Sequence, residues 1–418
     1  MRNMEGWQHK KLTDLADYIN GYAFKPDDWG KDGLPIIRIE QLKNPESVKD
    51  YFSGRLPDKN IIDNGDLIFS WSASLFLRIW QYGKAALNQH LFKVVEKTGV
   101  DRTLLKQFID FYLPEITKAS HGSTMQHITR KELERFGALF PTSEPEQSKI
   151  AEVLSTVDQA IEQTEALMAK QQRIKNGLMQ DLLTRGIDEH GNLRSEQTHQ
   201  FKDSPLGRIP MEWNVEMLDV LATRGSGHTP NKRKDEYWNG GIKWVSLADS
   251  SKLDRVIINE TDKEISDLGL KNSSAVMHPK GTVILSRDAG VGKSAILGEN
   301  MAVSQHFMAW HCKPSRLDND YLYYWLQKDK PKFEGIASGS TIVTIGLQFF
   351  KEYTIATPKM VVEQKQISEV LRNADRSIEQ FTANLNKLKR LKIALMQDLL
   401  TGMKRVTPLL NDMEVRTG

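Results

Sequence analysis

The strongest pattern of hydrophobic and polar positions lies in two long segments, in which apolar residues recur alternately four and three positions apart. The first set is Ile150, Leu154, Val157, Ile161, Thr164 and Met168, and the second is Ile367, Leu371, Ala374, Ile378, Phe381, Leu385 and Leu388. Such spacing is typical of the apolar seam of a coiled coil. Proline is absent from 146–204 and 359–407, so the pattern predicts two uninterrupted helices that pack on each other. The plainer alternative is a pair of amphipathic helices, each in the core of its own domain.

The two segments are copies of one sequence. From Glu146, 39 residues align with those from Glu363 at a constant offset of 217, and 21 of the 39 are identical. Weaker matches precede each copy, and they include Asn88-Gln89-His90 with Ser304-Gln305-His306 and Gly122-Ser123-Thr124 with Gly339-Ser340-Thr341. A repeat of this length indicates duplication. The chain is therefore predicted to contain, twice, a mixed globular region followed by a long helix.

The globular regions carry short apolar runs bounded by turn residues, which predict strands. These runs are Pro35–Ile39, Gly65–Phe69, Ile242–Leu247 and Gly281–Leu285, and helices are expected at Leu104–Tyr112 and Tyr321–Gln327. The predicted fold is α+β: two similar mixed α/β recognition domains separated by two long antiparallel coiled-coil helices, with a pseudo-two-fold repeat. The expected bounds are 1–144 for domain 1, 145–184 for the first helix, 185–206 for a linker, 207–361 for domain 2, 362–402 for the second helix and 403–418 for an uninformative tail.

Composition limits the class of protein. The chain has 418 residues, of which 39% are hydrophobic and 27% charged, and a single cysteine, Cys312, which has no intrachain disulfide partner. No stretch approaches the ~18 uncharged apolar residues that a membrane span needs, and the first residues lack the apolar core of a secretory signal. We therefore expect a soluble, cytoplasmic protein without a membrane partner. The net charge of +3 neither indicates nor excludes a polyanionic partner.

Motifs that would indicate catalysis are incomplete. The segment Ala289–Ser294 ends like a phosphate-binding P-loop, but Arg287 occupies the position that requires the first glycine. The histidines and the cysteine show no pair at metal-ligand spacing. The glycine-rich cofactor loop of a methyltransferase and the clustered carboxylates of a nuclease are also missing. We predict no catalytic residues, no metal site and no cofactor bound by this chain.

Two diverged domains held apart by a helical spacer suit a ligand with two recognition elements on a repeating rod. Duplex DNA presents its major groove on one face every ~34 Å, so divergence between the domains predicts two unlike half-sites. A different class of function stays open: a coiled-coil interaction scaffold whose globular domains bind protein.

The repeated helix motif carries a resemblance to a known family. The pattern EQ-x-x-I-x-EVL-x-x-x-D-x-x-IEQ, followed by LMQDLLT, occurs twice, with Gly-Ser-Thr and proline upstream of each copy. Together with the segment 204–213, it resembles the specificity (S) subunit of type I restriction-modification systems. The resemblance implies a non-catalytic subunit that reads a bipartite, asymmetric site on double-stranded DNA.

The same resemblance implies partners. Two modification subunits would form an adenine DNA methyltransferase that uses S-adenosylmethionine, and restriction subunits would make the whole complex an ATP-dependent type I site-specific deoxyribonuclease that also uses Mg²⁺. These cofactors are expected on the partner subunits.

The duplication also suggests which residues read bases. Residues identical in both domains are expected to be scaffold or phosphate contacts, whereas differing polar residues at equivalent positions are candidates for base reading. The DNA-binding candidates are Arg38, Trp71, Ser72, Arg78, Ser123, Thr124, Gln126, His127, Lys232, Arg233, Ser246, Arg287, Lys293, Ser294, Ser340 and Thr341. Arg38, Arg78, Gln126 and Arg287 lead, because arginine pairs bidentately with guanine and glutamine with adenine. The alternatives are ordinary exposed polar residues and helix caps.

Polar residues that lie off the apolar seam and recur identically in both helices are candidates for docking two identical partners. They are Glu152, Asp158, Glu162, Gln180, Asp181, Glu369, Asp375, Glu379, Gln397 and Asp398. A solvated helix face is the alternative.

Overall fold

The computed structural model describes residues 4–118, 128–338 and 344–410. The chain forms two compact units: unit 1 comprises Met1–Glu165 and Ala383–Gly418, and unit 2 comprises Ala166–Thr382. Both boundaries fall inside the long helices, so each unit contains one half of each helix.

In its described residues, unit 1 contains ten strands, four complete helices and one half of each long helix. The strands are β1 (Trp7–Lys11), β2 (Ala16–Asn20), β3 (Leu34–Ile37), β4 (Tyr51–Phe52), β5 (Ile61–Ile62), β6 (Leu67–Ser70), β7 (Phe76–Ile79), β8 (Ala85–Leu87), β9 (Leu91–Glu96) and β10 (Gly137–Pro141). The helices are α1 (Leu12–Leu15), α2 (Ile39–Lys43), α3 (Arg102–Lys118), α4 (Arg130–Arg135) and the start of α5 (Glu144–Arg185). One sheet has the order β2-β9-β6-β7, another has the order β4-β3-β8-β5, and β1 pairs with β10.

Unit 2 repeats this plan. Its strands are β11 (Phe201–Lys202), β12 (Ile209–Pro210), β13 (Asn214–Met217), β14 (Ala222–Ser226), β15 (Trp238–Val245), β16 (Ile257–Ile258), β17 (Lys263–Ile265), β18 (Met277–His278), β19 (Val283–Ser286), β20 (Ser294–Leu297), β21 (Met301–Val303), β22 (Phe307–Cys312) and β23 (Thr354–Thr357). Its helices are α6 (Leu218–Leu221), α7 (Asp267–Lys271), α8 (Asn319–Lys328), α9 (Lys330–Ser338), α10 (Leu347–Lys351) and the start of α11 (Val361–Leu400). The sheets have the orders β14-β22-β19-β20-β16 and β17-β15-β21-β18.

The duplication extends to strand register. Phe69 of β6 pairs with Phe92 of β9, and Leu285 of β19 pairs with Met308 of β22. Both pairs are antiparallel, and each central strand is buried along its whole length. The predicted fold class is confirmed: two copies of one mixed α/β plan, each joined to a long helix.

Two predicted strands end earlier than expected. Ile39 starts α2 instead of ending β3, and Leu247 starts a short 3₁₀ turn instead of ending β15. In both cases a polar side chain three residues downstream accepts a hydrogen bond from the last extended backbone N–H. Gln41 Oε1 accepts from Arg38 N at 3.1 Å, and Asp249 Oδ2 accepts from Ser246 N at 3.0 Å. A helix-type cap therefore overrides the apolar run at the same place in both units.

The apolar seam is confirmed. Ile150, Leu154, Ile367 and Leu371 are fully buried, and the other predicted seam positions are buried or half-buried. The helices pair antiparallel within each unit. In unit 1, Glu165 pairs with Lys389 while Asp158 pairs with Lys392; in unit 2, Thr382 lies against Met168 and Asp375 against Lys175. Among the helices of the described ranges, none is both long and apolar enough to cross a membrane.

Candidate functional site

An ion pair with a third hydrogen-bonding partner recurs in both units where the long helices meet the globular region. In unit 2, Lys175 Nζ lies 2.5 Å from Asp375 Oδ1, and Tyr324 donates to Asp375 Oδ2 at 2.8 Å. In unit 1, Lys392 Nζ lies 2.6 Å from Asp158 Oδ1, and Gln107 donates to Asp158 Oδ2 at 2.5 Å. All three positions are related by the offset of 217, so this trio is part of the duplicated plan.

The two trios differ in burial. The side chains of Lys175 and Asp375 are only 9% and 12% exposed, whereas those of Lys392 and Asp158 are 23% and 33% exposed. Burial, followed by the adjacent Asp375 carboxylate, raises the pKa of Tyr324, which therefore donates as a neutral phenol. We expected Asp375 on an exposed docking face, and that expectation is wrong, because its carboxylate is enclosed by Lys175 and Tyr324.

A second duplicated feature joins the start of each long helix to a distant arginine. In unit 1, Arg405 donates to both carboxylate oxygens of Glu146, at 2.5 and 2.8 Å, and the Glu146 side chain is 1% exposed. In unit 2, Arg194 donates to both oxygens of Glu363, at 2.5 and 3.2 Å. Hydrogen bonding to Glu146 raises the pKa of Arg405. The tail beyond Met403 was expected to be uninformative, yet it supplies one of these arginines.

The neighbouring glutamines attach each helix start to its own globular region. Gln147 donates to the carbonyl oxygens of Gly99 and Pro141 and accepts from the backbone of Asp101. Gln364 makes the same three bonds, to Arg316, Pro358 and Asp318. The identical Glu-Gln pairs thus have a structural role, which the repeat itself could have indicated.

Eight of the other docking candidates lie on accessible helix faces, whereas Asp158 is half-buried in the trio of unit 1. Six of these residues are exposed: Glu152, Glu162, Gln180, Glu369, Glu379 and Gln397. Asp181 and Asp398 are half-buried and pair with basic neighbours, Arg185 at 3.1 Å and Lys404 at 2.7 Å. The polar residues that the internal repeat singled out therefore lie on accessible faces of both long helices, and the docking of partners there stays a prediction.

In unit 1 the leading arginines have different surroundings. Arg38 Nη1 lies 2.6 Å from Asp50 Oδ2, and its guanidinium carbon lies 5.0 Å from the centre of the Trp29 ring. Arg78 on β7 donates through Nη1 to the carbonyl oxygens of Leu42 and Lys43, at 2.5 and 3.1 Å. Arg78 thus caps the C-terminal end of α2, where a cation is favoured by the exposed carbonyls.

The strand end after β6 forms a small aromatic site. Trp71 stacks on Phe92 with ring centres 5.5 Å apart and lies 6.0 Å from the ring of His90. Ser72 is 4% exposed, and its hydroxyl is 3.5 Å from His90 Nδ1. These candidates lie together, beside one of the paired histidines.

Three candidates of unit 2 are used inside the fold. Ser246 is 6% exposed and accepts from Ala248 N as a helix cap. Ser294 is fully buried and accepts from Gln327 at 2.8 Å. Lys293 donates to both oxygens of Ser250, at 3.0 and 2.9 Å. We predicted these three as DNA-binding residues from their sequence positions alone, which give no information about such bonds.

The P-loop-like segment lies in a hairpin. It connects β19 to the antiparallel strand β20, whereas a phosphate-binding P-loop leads from a strand into a helix. Gly290 and Gly292 adopt positive φ angles, 82° and 85°, which this tight turn requires.

Two candidates of unit 2, Lys232 and Ser246, line a cleft of roughly 270 Å³ together with residues that were not predicted as base-reading candidates. The walls of this cleft include Trp238, Trp244, Lys232, Ser246, Gln305 and His306. Lys232 and Arg233 are exposed, so their charges are accessible to an anion. Arg287 lies on the β19–β20 loop. Its side chain is 20% exposed, and its Nε is 3.7 Å from Asp288 Oδ1.

Sequence reasoning missed the role of Asp288, whose carboxylate contacts the side chains of both His306 and Thr344. Asp288 Oδ2 lies 2.6 Å from His306 Nδ1, and Asp288 Oδ1 accepts from Thr344. Its counterpart in unit 1 is Ser72, and this polar difference between equivalent positions was the available signal.

Six of the DNA-binding candidates lie outside the described residues: Ser123, Thr124, Gln126, His127, Ser340 and Thr341. Within the described part of the chain, no group of three or more His, Cys, Asp or Glu residues is arranged to hold a metal ion.

Several known proteins that are similar in sequence to this chain are specificity subunits of type I restriction enzymes. The MjaVIII specificity subunit of a type I restriction enzyme from Methanocaldococcus jannaschii is 25% identical over 424 residues, covering 97% of this chain and 95% of that protein. The putative MjaX specificity subunit of the same organism is 23% identical, with 96% and 94% covered. The MjaIX specificity subunit is 29% identical over 202 residues, which is 48% of this chain and 46% of the relative.

Solved structures share the fold. The crystal structure of a type I restriction-modification S subunit from M. genitalium superposes with a TM-score of 0.61 at 15% identity, covering 96% of this chain and 97% of that one. A structure from a study of type I complex assembly gives a TM-score of 0.57 at 17% identity, with 96% and 99% covered. A family model described as the type I restriction modification DNA specificity domain matches residues 4–171 and 210–390. Because this family model matches most of the chain, the protein belongs to the family of type I restriction-modification DNA specificity domains.

Proposed function

We propose that this chain reads a bipartite, asymmetric sequence on double-stranded DNA, with one half-site read by the globular region of each unit. The observation that carries the proposal is a duplicated scaffold with unlike polar groups at equivalent positions. Arg38 corresponds to Ser246, and Ser72 corresponds to Asp288, at strand ends that share one topology. Ser72 and Ser246 are themselves buried, but a common scaffold with different polar groups at its strand ends would present different surfaces to two base sequences.

The accessible cations fit this role. Lys232 lies exposed at the cleft of unit 2, and the next residue, Arg233, is also exposed; both would contact phosphates. Among the described residues, Nη2 of Arg38 and Nε of Arg287 are buried without a hydrogen-bond partner. Because both atoms are buried, a base edge would be contacted by the other guanidinium nitrogens of these arginines. We retain the two as the leading base-reading candidates because arginine pairs bidentately with guanine.

We further propose that the exposed, repeated helix faces dock two identical modification subunits in the cytoplasm, and that restriction subunits join the full complex. Glu162 and Gln180, with their counterparts Glu379 and Gln397, would lie in these contacts. The chain itself would carry no catalysis. S-adenosylmethionine, ATP and Mg²⁺ would be bound by the partner subunits.

Replacing Arg287 with alanine is expected to relax or abolish recognition of one half-site only. Loss of a bidentate arginine contact reduces discrimination by ~1 to 3 kcal/mol at the base it reads. The measurement is methylation of a panel of duplexes, each with one base pair changed, by the chain assembled with its modification subunits. Uniform weakening on every duplex would instead assign Arg287 to the DNA backbone.

A protein-binding scaffold is the second candidate, favoured by the long paired helices. Salt separates the two functions, because binding through phosphates weakens steeply as salt concentration rises. We expect the affinity for the preferred duplex to fall by more than tenfold between about 50 and 200 mM salt, because the chain would make several phosphate contacts. A flat response would favour the scaffold.

Reversing the charges of Asp181 and Asp398 together is expected to weaken assembly with the modification subunits. Both carboxylates occupy the same place in the repeat, so the double variant changes both proposed docking faces. The control reverses Glu189 and Asp203, which are 87% and 93% exposed and have no identical counterparts. Co-purification of the complex measures the effect, and an intact complex with both double variants would indicate a solvated face.

A further inference from the structure

A chain of hydrogen bonds in unit 2 runs from Asp288 to Thr229 along the cleft. Asp288 Oδ2 lies 2.6 Å from His306 Nδ1, and His306 Nε2 lies 3.3 Å from Gln305 Nε2. At the far end, Thr229 donates to Gln305 Oε1 at 2.6 Å. Gln305 is exposed at the wall of the cleft, so its amide is accessible to a ligand there.

The Asp288 carboxylate oxygen accepts, so His306 Nδ1 carries the hydrogen of this bond. The imidazole tautomer with its hydrogen on Nδ1 has a bare Nε2, which accepts. The group that faces Nε2 is then the NH₂ of Gln305, which leaves the carbonyl oxygen of Gln305 facing Thr229. The hydroxyl of Thr229 donates to that oxygen at 2.6 Å and is compatible with this orientation of the amide, which the His306 end selects.

The locked amide retains one N–H donor and one acceptor lone pair. That pair of groups matches adenine in the major groove, where N7 accepts and the N6 amino group donates. Lys232 lies on the same cleft and is exposed, so a phosphate could be bound close to the base that Gln305 contacts.

Unit 1 contains the same Gln-His dipeptide without this lock. Ser72 stands in the place of Asp288, and its hydroxyl is 3.5 Å from His90 Nδ1. A hydroxyl both donates and accepts, so it does not select one tautomer of His90. Gln89 is also half-buried, whereas Gln305 is exposed. Identical residues in the two units therefore have unlike neighbours and different exposure. Identity alone does not establish that Gln305-His306 is scaffold or a phosphate contact, as we had expected.

We propose that Gln305 reads an adenine in the half-site bound by unit 2, and that Asp288 and His306 are positioning residues that hold its amide in the reading orientation. This inference rests on the proposed function, that the chain reads a bipartite DNA sequence. It adds the residue that makes the contact and the base that it selects.

The test is selection of preferred sites from a randomised duplex library by the full chain assembled with its modification subunits. Gln305→Ala is expected to reduce the preference for adenine at one base pair of one half-site by about 5- to 150-fold, the range that ~1 to 3 kcal/mol corresponds to. Asp288→Asn is expected to reduce the preference at that same base pair, because asparagine can donate as well as accept and frees the ring. The double variant should lose no more than Gln305→Ala alone.

Matched variants of unit 1, Gln89→Ala and Ser72→Ala, should leave the adenine preference of the unit 2 half-site unchanged. Retention of that preference in Gln305→Ala, or an additive loss in the double variant, would overturn the proposal. Equal weakening at all positions in Asp288→Asn would also overturn it. Because Gln305 is exposed, its alanine variant is expected to fold and decides the question even if Asp288→Asn does not. A wild-type protein that selects no bipartite sequence would overturn the proposed function itself, and this outcome is seen before any variant is made.

Discussion

Replacing Lys175 with methionine is expected to destabilise unit 2 by about 3 to 5 kcal/mol, the cost of leaving one charge of a buried pair without its partner. Methionine keeps the apolar stem and removes the ammonium that lies 2.5 Å from Asp375. Asp375 would retain only the hydrogen bond from Tyr324, at a position where its side chain is 12% exposed. Hydrogen exchange of peptides from α8 and α11 measures the loss within unit 2.

The double variant Lys175→Met with Asp375→Asn should regain most of the lost stability, because a neutral amide still accepts from Tyr324 and leaves no charge unpaired. The duplicated trio supplies the matched control. Lys392→Met breaks the pair with Asp158, which is 33% exposed, so water screens the carboxylate and about 1 kcal/mol or less is expected. Equal losses in the two single variants would contradict the importance of burial.

Arg405→Ala is expected to destabilise unit 1 by a similar amount, about 3 to 5 kcal/mol. The Glu146 side chain is 1% exposed, and Arg405 donates two charge-assisted hydrogen bonds to its carboxylate. Truncation after Lys404 should destabilise unit 1 further, since it removes the same guanidinium and also Val406, which is 2% exposed in the core of unit 1. Hydrogen exchange at the start of α5 is the measurement.

The equivalent variant of unit 2, Arg194→Ala, should destabilise the start of α11 and leave the start of α5 unchanged. Adding Glu146→Gln to Arg405→Ala should recover part of the loss, because the carboxylate is no longer charged. If Arg405→Ala leaves exchange at the start of α5 unchanged, the assignment of this residue as the partner that neutralises Glu146 is wrong.

The sequence was sufficient for the features that depend on local periodicity. The seam from Ile150 onward and the copy from Ile367 onward follow from residue spacing, because a helix turns by a fixed angle per residue. The duplication likewise predicts that β6 and β19 are equivalent strands. Strand ends were less predictable, since the caps at Arg38 and Ser246 depend on a side chain three residues further on.

Side-chain environment was the part that sequence alone did not give. Arg78 and Lys293 bind carbonyl groups of segments 36 and 43 residues away, which no local pattern indicates. Asp375 lies off the seam and was expected to be exposed, but Tyr324 of α8 covers it. Identity between Lys175 and Lys392 was a usable signal for that buried pair. The positions of Asp288 and Ser72 were recognised as different, although the chain of hydrogen bonds that makes the difference matter became visible only in three dimensions.

The central claim is that two unlike recognition regions in one chain read one bipartite DNA site. The most direct measurement is methylation mapping of genomic DNA after exposure to this chain assembled with its modification subunits, because it gives both half-sites and their spacing at once. We predict a single motif with two different specified halves separated by a fixed gap of unspecified bases. A contiguous motif, two identical halves or methylation without sequence preference would contradict it.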